Sequence, residues 1–170
     1  MQSRNLPVLT IVVIVLGIMT SCKFYSFTGA SIPPQAKTFS VKHFPNHAQI
    51  VQPTLSQKFT ESLQDKFMKQ TSLKLTDGRG DLHFEGSITG YTTQPTAISG
   101  DDQAALNRLT ITIRITFINE YDPKSDFERS FARYFDYDSK LSLTQVEDQA
   151  ITEIVEALVE DVFNAAVVNW

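Results

Sequence analysis

The stretch Arg108–Asn119, RLTITIRITFIN, decides the fold of this chain because its side chains alternate in character. Every second residue is large and apolar, namely Leu109, Ile111, Ile113, Ile115 and Phe117. The residues between them are mainly Thr, with Arg114 in the middle. Since successive side chains of a strand point to opposite faces, this pattern predicts a strand with one buried face and one polar face.

A second strand is predicted before this one, from Leu82 to Tyr91. Leu82, Phe84, Gly86, Ile88 and Gly90 share one parity, and His83, Glu85, Ser87, Thr89 and Tyr91 share the other. Glycines weaken a strand locally and permit a bulge or a close approach of another backbone. We therefore expect an irregular strand with Tyr91 on the face opposite to Ile88.

A third strand is predicted after Asn119, because Asp122-Pro123-Lys124-Ser125 has the chemistry of a turn. Phe127 to Tyr137 then forms the return strand of a hairpin. Its apolar parity is mixed, since it holds Phe127, Phe131 and Phe135 together with Arg129 and Arg133. The sequence leaves open which side of this strand meets the helices.

Two helices and one short strand complete the pattern. Thr38 to Phe44 alternates like a strand, and Thr54 to Gln70 has an apolar stripe at every fourth position. Thr54 and Gln57 have the spacing of a capping box. The last helix begins at Ser142 or Thr144 and continues to Val168. We favour Ser142, which forms a capping box with Gln145 and places apolar residues for a hydrophobic staple.

The order of these elements is β-α-β-β-β-α, which predicts an α+β domain over residues 38–170. Its architecture would be a two-layer sandwich, with a four-stranded, largely antiparallel sheet and two helices on one face. The other sheet face, rich in Thr, would then be exposed or used for contact.

The N-terminal residues are typical of an exported chain. Arg4 precedes a short apolar run from Leu6 to Met19, which is too short to cross a membrane. Thr20, Ser21 and Cys22 follow, and they look like a bacterial lipobox. That resemblance implies cleavage of residues 1–21 as a signal peptide, acylation of Cys22, and a lipidated tether over residues 22–37. An ordinary cleaved signal and an uncleaved anchor are the alternatives.

The composition excludes several classes of protein. The chain of 170 residues is 42% hydrophobic and 20% charged, with a net charge of −4, which argues against disorder and against nucleic-acid binding. Cys22 is the only cysteine, so the chain cannot form an intramolecular disulfide.

No catalytic set or metal framework is evident, and we predict a protein that is not an enzyme and holds no cofactor. His43 and His47 have a spacing seen in metal sites but lack a third ligand. His83 lies beside Glu85 in the second predicted strand, where we expect an ordinary exposed pair. A hydrolase with an unrecognised site is the alternative.

Arginine side chains are the candidate ligand-binding groups, because guanidinium binds phosphates and carboxylates with two hydrogen bonds. The candidates are Arg79 in a turn, Arg108 at the start of the long strand, and Arg114 on its polar face. The alternative is a solvated sheet face on which such residues pair with Glu85 or Glu128.

The chain resembles the lipopolysaccharide-assembly lipoproteins of the LptE type, especially those of Bacteroidota. The resemblance rests on the order and character of segments along nearly the whole chain. These are Thr20-Ser21-Cys22, KTFSVKHFPN, LSQKFTESLQDKF, LHFEGSITGY, RLTITIRITFIN and SFARYFDYD before the closing helix.

The resemblance implies a lipoprotein of the outer membrane that plugs a large LptD-like β-barrel, helps it assemble and aids delivery of lipopolysaccharide. Some members of that family bind lipopolysaccharide through basic residues at one edge of the domain, and Arg79, Arg108 and Arg114 are the candidates by chemistry. No acidic run follows Cys22, so we expect the domain to face the periplasm. A generic periplasmic adaptor, or a pilot lipoprotein for another envelope complex, is the alternative function.

Overall fold

The computed structural model describes residues 32–96 and 106–167. The signal peptide, Cys22 and most of the tether predicted from the sequence lie outside the described residues, as does Val168. Within them the elements are β1 (Thr38–Val41), α1 (Leu55–Gln70), β2 (Lys74–Leu75), β3 (Leu82–Thr96), β4 (Leu106–Asn119), β5 (Phe127–Asp138) and α2 (Leu143–Val167), with a 3-10 turn at Pro123–Ser125.

The strands of the described residues form one sheet in the order β2-β1-β3-β4-β5. Strand β1 is parallel to both β2 and β3, whereas β3, β4 and β5 form an antiparallel meander. The predicted α+β class is confirmed, but the prediction of four strands is wrong because the sheet has five. Strand β2 has two residues, which is too short to leave any periodicity in the sequence.

The alternation along β4 produces the two predicted faces. Leu109, Ile111, Ile113, Ile115 and Phe117 are all 0% exposed and lie in the hydrophobic core. On the other face Arg114 is exposed and its Thr neighbours are half-buried. Helices α1 and α2 contribute their buried stripes to the same core cluster, so the sheet buries one face against them.

Strand β3 contains the irregularity that its glycines predict. The register with β4 shifts between Ile88 and Gly90. At Gly86, an added Cβ would lie 2.1 Å from the carbonyl oxygen of Arg114, so the close backbone approach is also present. The shift turns Tyr91 to the core side, where it is 2% exposed. The prediction that Tyr91 lies opposite to Ile88 is therefore wrong, because the bulge changes the parity.

Tyr91 links the sheet to α2. Its hydroxyl donates a hydrogen bond to the carboxylate of Glu147. Burial and this carboxylate raise the pKa of Tyr91, so the phenol stays protonated and keeps donating. Glu147 therefore binds Tyr91 and does not cap α2. The capping contact at the start of α2 is made by Ser142 and Gln145.

Strand β5 turns its phenylalanines toward the helices. Phe127, Phe131 and Phe135 are half-buried against the core. Arg133, which shares their parity, reaches Asp161 on α2 with its Nε 2.6 Å from Oδ2. The ambiguity of this strand is resolved because an arginine at the sheet margin can extend past the core to a helix.

At the start of each helix, a glutamine side chain accepts hydrogen bonds from backbone N–H groups. At α1 the predicted box of Thr54 and Gln57 is wrong, because Gln52 Oε1 accepts the N–H groups of Thr54 and Leu55, both at 2.8 Å. At α2 the favoured start is confirmed: Gln145 Oε1 accepts the N–H of Ser142 at 2.8 Å. In both cases a side chain satisfies N–H groups that the first helical turn leaves unpaired.

Candidate functional site

The face of the sheet opposite to the helices is the first candidate for a functional surface. We call it the polar sheet face and define it by the even-numbered residues of β4 and β5 from Arg108 to Ile118 and from Glu128 to Asp136. Side chains from β3 adjoin it. Five of its eleven members are Thr, Ser or Ala, and four others form the charged pairs of Arg108 with Asp136 and of Arg114 with Glu128. Within the described residues neither helix lies on this face.

Arg108 is fixed at one end of the polar sheet face. Its Nε and Nη2 donate to Asp136 at 2.7 and 2.8 Å, and its guanidinium lies 3.6 Å from the ring centroid of Tyr134. The hydrogen bonds raise the pKa of Arg108 and lower the pKa of Asp136. Tyr134 is 57% exposed, so this stacked group presents an aromatic and a charged surface together.

Arg114 lies near the middle of the same face. It pairs with Glu128 at 2.7 Å, and the side chains of both are more than half exposed. This is the cross-strand pair with Glu128 that is expected if Arg114 belongs to a solvated sheet face and not to a ligand site. Six residues separate Arg108 from Arg114 along β4, so their Cα atoms lie about 20 Å apart. They share a face but do not form one compact pocket.

Arg79 lies apart from both, in the loop between β2 and β3. Its Nε is 3.3 Å from Glu120, beyond the end of β4 opposite to Arg108. It lines a cavity of about 610 Å³ whose other walls come from β1, β3 and the loop itself, with Gln64 of α1 and Ile118 of β4. The structure therefore places the three predicted arginines at the two ends and the middle of the sheet.

His83, expected to be exposed, is buried, with 6% of its surface accessible. Its Nδ1 lies 2.7 Å from Ser40 Oγ. Ser40 Oγ also accepts the N–H of Gly80 at 2.9 Å, so its hydroxyl proton is free to be donated to Nδ1. The other ring nitrogen, Nε2, lies 3.4 Å from Glu85 Oε2.

The burial of His83 comes from the loop before β3. An added Cβ at Gly80 would lie 2.6 Å from the backbone of Phe39, so the loop presses directly on β1. Glu85 completes the cluster: Lys42 at 2.6 Å and His83 both lower its pKa. Every buried side-chain N or O of the described residues has a hydrogen-bond partner, which is typical of a structural polar cluster.

The described residues contain no group of three His, Cys, Asp or Glu side chains that could hold a metal ion. His43 borders the cavity, and His47 donates its backbone N–H to the carbonyl of Ile88 at 2.8 Å. In the same part of the chain, neither helix is both long and apolar enough to span a bilayer.

Several solved structures of bacterial proteins have a similar arrangement. A minor lipoprotein from Acinetobacter baumannii is 13% identical, covering 76% of this chain and 91% of that chain with a TM-score of 0.48. A hypothetical protein from Chlamydia trachomatis is 8% identical, with coverages of 79% and 99% and a TM-score of 0.49. A protein from Xanthomonas campestris is 13% identical, with coverages of 80% and 91% and a TM-score of 0.46.

No curated protein sequence matches the chain significantly. One family model does match, and its description is LptE, lipopolysaccharide-assembly. The match covers residues 36–166, which span the elements from β1 into the last turn of α2.

Proposed function

Because the chain belongs to the LptE lipopolysaccharide-assembly family, we propose that it is the non-catalytic lipoprotein subunit of an outer-membrane lipopolysaccharide translocon. In this role it plugs an LptD-like β-barrel, helps that barrel assemble and aids delivery of lipopolysaccharide to the cell surface. The observation that carries the proposal is the polar sheet face, which presents hydroxyl groups and paired charges. The lumen of an outer-membrane barrel is polar, so such a face can be buried there with hydrogen bonds.

Lipidation of Cys22, with residues 1–21 removed, would hold the domain on the periplasmic side of the membrane. The tether would enter the domain at Lys37 and Thr38. At that point Asp81 Oδ2 accepts both backbone N–H groups, at 2.8 and 2.9 Å. Strand β1 is therefore fixed at the point where the proposed tether enters the domain.

Contact with lipopolysaccharide is part of the proposal, with Arg79, Arg108 and Arg114 as the residues that bind its anionic groups. Arg108 and Arg114 already pair with carboxylates on β5. The pair of Arg114 and Glu128 is more than half exposed, and such pairs contribute little to stability, so an anionic ligand can replace Glu128 there at small cost.

Site-specific photo-crosslinking from membranes tests the barrel contact. A photoreactive phenylalanine in place of Ala132, which is exposed on the polar sheet face, should crosslink to a large outer-membrane β-barrel. The matched control replaces Glu156, which is exposed on α2. Equal crosslinking from both positions, or none from position 132, would contradict the proposal. A barrel unrelated to lipopolysaccharide export would favour the adaptor or pilot alternative.

A further inference from the structure

The cavity beside β1 is a separate feature from the polar sheet face. Its volume of about 610 Å³ is within the range of ligand-binding pockets. Val41, Lys42 and His43 form one wall, and the loop from Leu75 to Arg79 forms the facing wall. The buried pair of Ser40 and His83 fixes the floor at 2.7 Å between Oγ and Nδ1.

The backbone of β1 is open to this cavity. The ladder with β2 ends at the hydrogen bond from Thr76 N to Phe39 O, at 2.9 Å. Backbone groups alternate between the two neighbours of a strand, and Lys42 N points to β3, where it donates to Phe84 O. The N–H and C=O of Val41 therefore point toward the side that β2 has left, where no strand of the described residues pairs with them.

Two cations stand above this open edge. Lys42 pairs with Glu85 at 2.6 Å, and Arg79 pairs with Glu120 at 3.3 Å. Their side chains are 64% and 60% exposed, so both pairs are weak and exchangeable. Lys42 is on the outer side of β1, next to the position where a side chain of an added strand would lie.

We propose that this cavity binds an extended peptide segment that carries a carboxylate side chain. The peptide backbone pairs with the N–H and C=O of Val41, as in other cases of strand addition to a sheet edge. Its carboxylate replaces Glu85 and Glu120 as the partner of Lys42 and Arg79. The site lies at the β1 edge and meets the polar sheet face only at its end, near Ile118, so a peptide can bind there without the barrel contact proposed for Ala132.

Binding of peptide pools to the full-length protein in detergent tests the proposal. One pool consists of heptapeptides with random flanking residues and Asp at the centre, and the matched pool has Asn at the centre. The Asp pool should be retained at least about tenfold better, since a charged hydrogen bond is worth more than a neutral one. K42Q and R79Q should each abolish that preference, whereas K74Q, on an exposed residue outside the cavity, should keep it.

The backbone contact needs its own readout. The selected peptide should shift the amide resonance of Val41, and methylation of the peptide nitrogen that pairs with Val41 should weaken binding about tenfold or more. Equal retention of the two pools would overturn the proposal. Displacement of the peptide by inorganic phosphate at equal concentration, with no shift at Val41, would also overturn it by revealing a site for simple anions.

Discussion

Strand β4 separates two faces of one sheet that share a backbone and differ in what they contact. On the core face, Ile111, Ile113 and Ile115 are completely buried under α1 and α2. On the polar face, Arg114 is exposed and pairs with a carboxylate across the strand. The core face stabilises the domain, and the polar face is left available for contact because little of the stability depends on it.

At the β1 end of the sheet, polar residues with the parity of the polar face are buried and not exposed to solvent. Ser40 and His83 have the parity of the polar face, yet they are 4% and 6% exposed. The loop from Thr76 to Asp81 covers them and supplies the N–H of Gly80. A polar face therefore has two regimes: a solvated one along β4 and β5, and a buried, hydrogen-bonded one at β1.

The largest effect should come from the core face of β4. Ile113→Ala removes buried methyl groups and leaves a cavity, so the free energy of unfolding should fall by about 2–5 kcal/mol. The matched change on the polar face, Thr112→Ala, should alter it by no more than about 0.5 kcal/mol. Urea unfolding followed by circular dichroism measures both. Similar losses for the two variants would show that the two faces of β4 contribute equally to the free energy of unfolding.

The buried polar regime should give the next largest effect. Ser40→Ala leaves His83 Nδ1 and the N–H of Gly80 without their partner, and each loss of a buried partner costs about 1–3 kcal/mol. Ser87→Ala, on the solvated part of the same face, is the control and should be nearly neutral. The urea concentrations at the unfolding midpoints of the two variants are compared. Equal midpoints would show that the buried polar residues at β1 contribute no more to stability than the solvated ones.

A smaller and pH-dependent effect is expected at Asp81. Hydrogen bonds from the backbone of Lys37 and Thr38 lower the pKa of Asp81 in the folded chain. Its contribution is therefore complete above the ordinary pKa of 3.8 and is lost as the pH falls below that value toward the folded pKa. Asp81→Asn keeps an acceptor but not the charge, so it should cost about 1 kcal/mol at pH 7.

The same variant gives the pH test. The difference in unfolding free energy between the wild type and Asp81→Asn should shrink as the pH falls from about 4 toward the folded pKa, because the unfolded wild-type chain then binds a proton that the folded carboxyl resists. A difference that stays constant over this range would show that the charge of Asp81 contributes nothing.

The smallest effect on stability is expected for the arginines of the polar sheet face. Arg108→Ala with Arg114→Ala should change the free energy of unfolding less than the variants above, because both side chains lie on the solvent side of the sheet. Binding of lipopolysaccharide should nevertheless weaken, and the loss should be greatest at low salt, where charges are least screened. Arg129→Ala, on the core-side parity of β5, is the control. Unchanged binding by the double variant would remove Arg108 and Arg114 as ligand contacts.

The sequence predicts those parts of the fold in which one chain segment determines its own burial. The alternation of β4 and the apolar stripe of α1 are local patterns, and both are confirmed. Strand β2 and the inward position of Tyr91 were missed. A two-residue strand exists only through its neighbour, and a bulge changes parity after the residue where it occurs.

The candidate site shows the same limit. The parity of His83 is readable from the sequence, but its burial depends on a loop that returns over β1. One signal for it is the glycine at position 80, because a glycine permits the close approach of the loop to the backbone of β1 that the structure shows. The wide separation of Arg79 from Arg108 also follows from the topology and not from the local sequence.

The placement of β1 also has a mechanical consequence. This strand is the first element after the N-terminal segment, and it lies between two parallel neighbours whose hydrogen bonds run across it. A pull applied upstream of Lys37 acts along the strand, so it loads those bonds together in shear and not one after another as in unzipping. Asp81 accepts hydrogen bonds from the backbone N–H groups of Lys37 and Thr38, so these bonds are the first to be loaded. The domain can therefore resist a pull applied through its N-terminal segment, because the hydrogen bonds on both sides of β1 share the load.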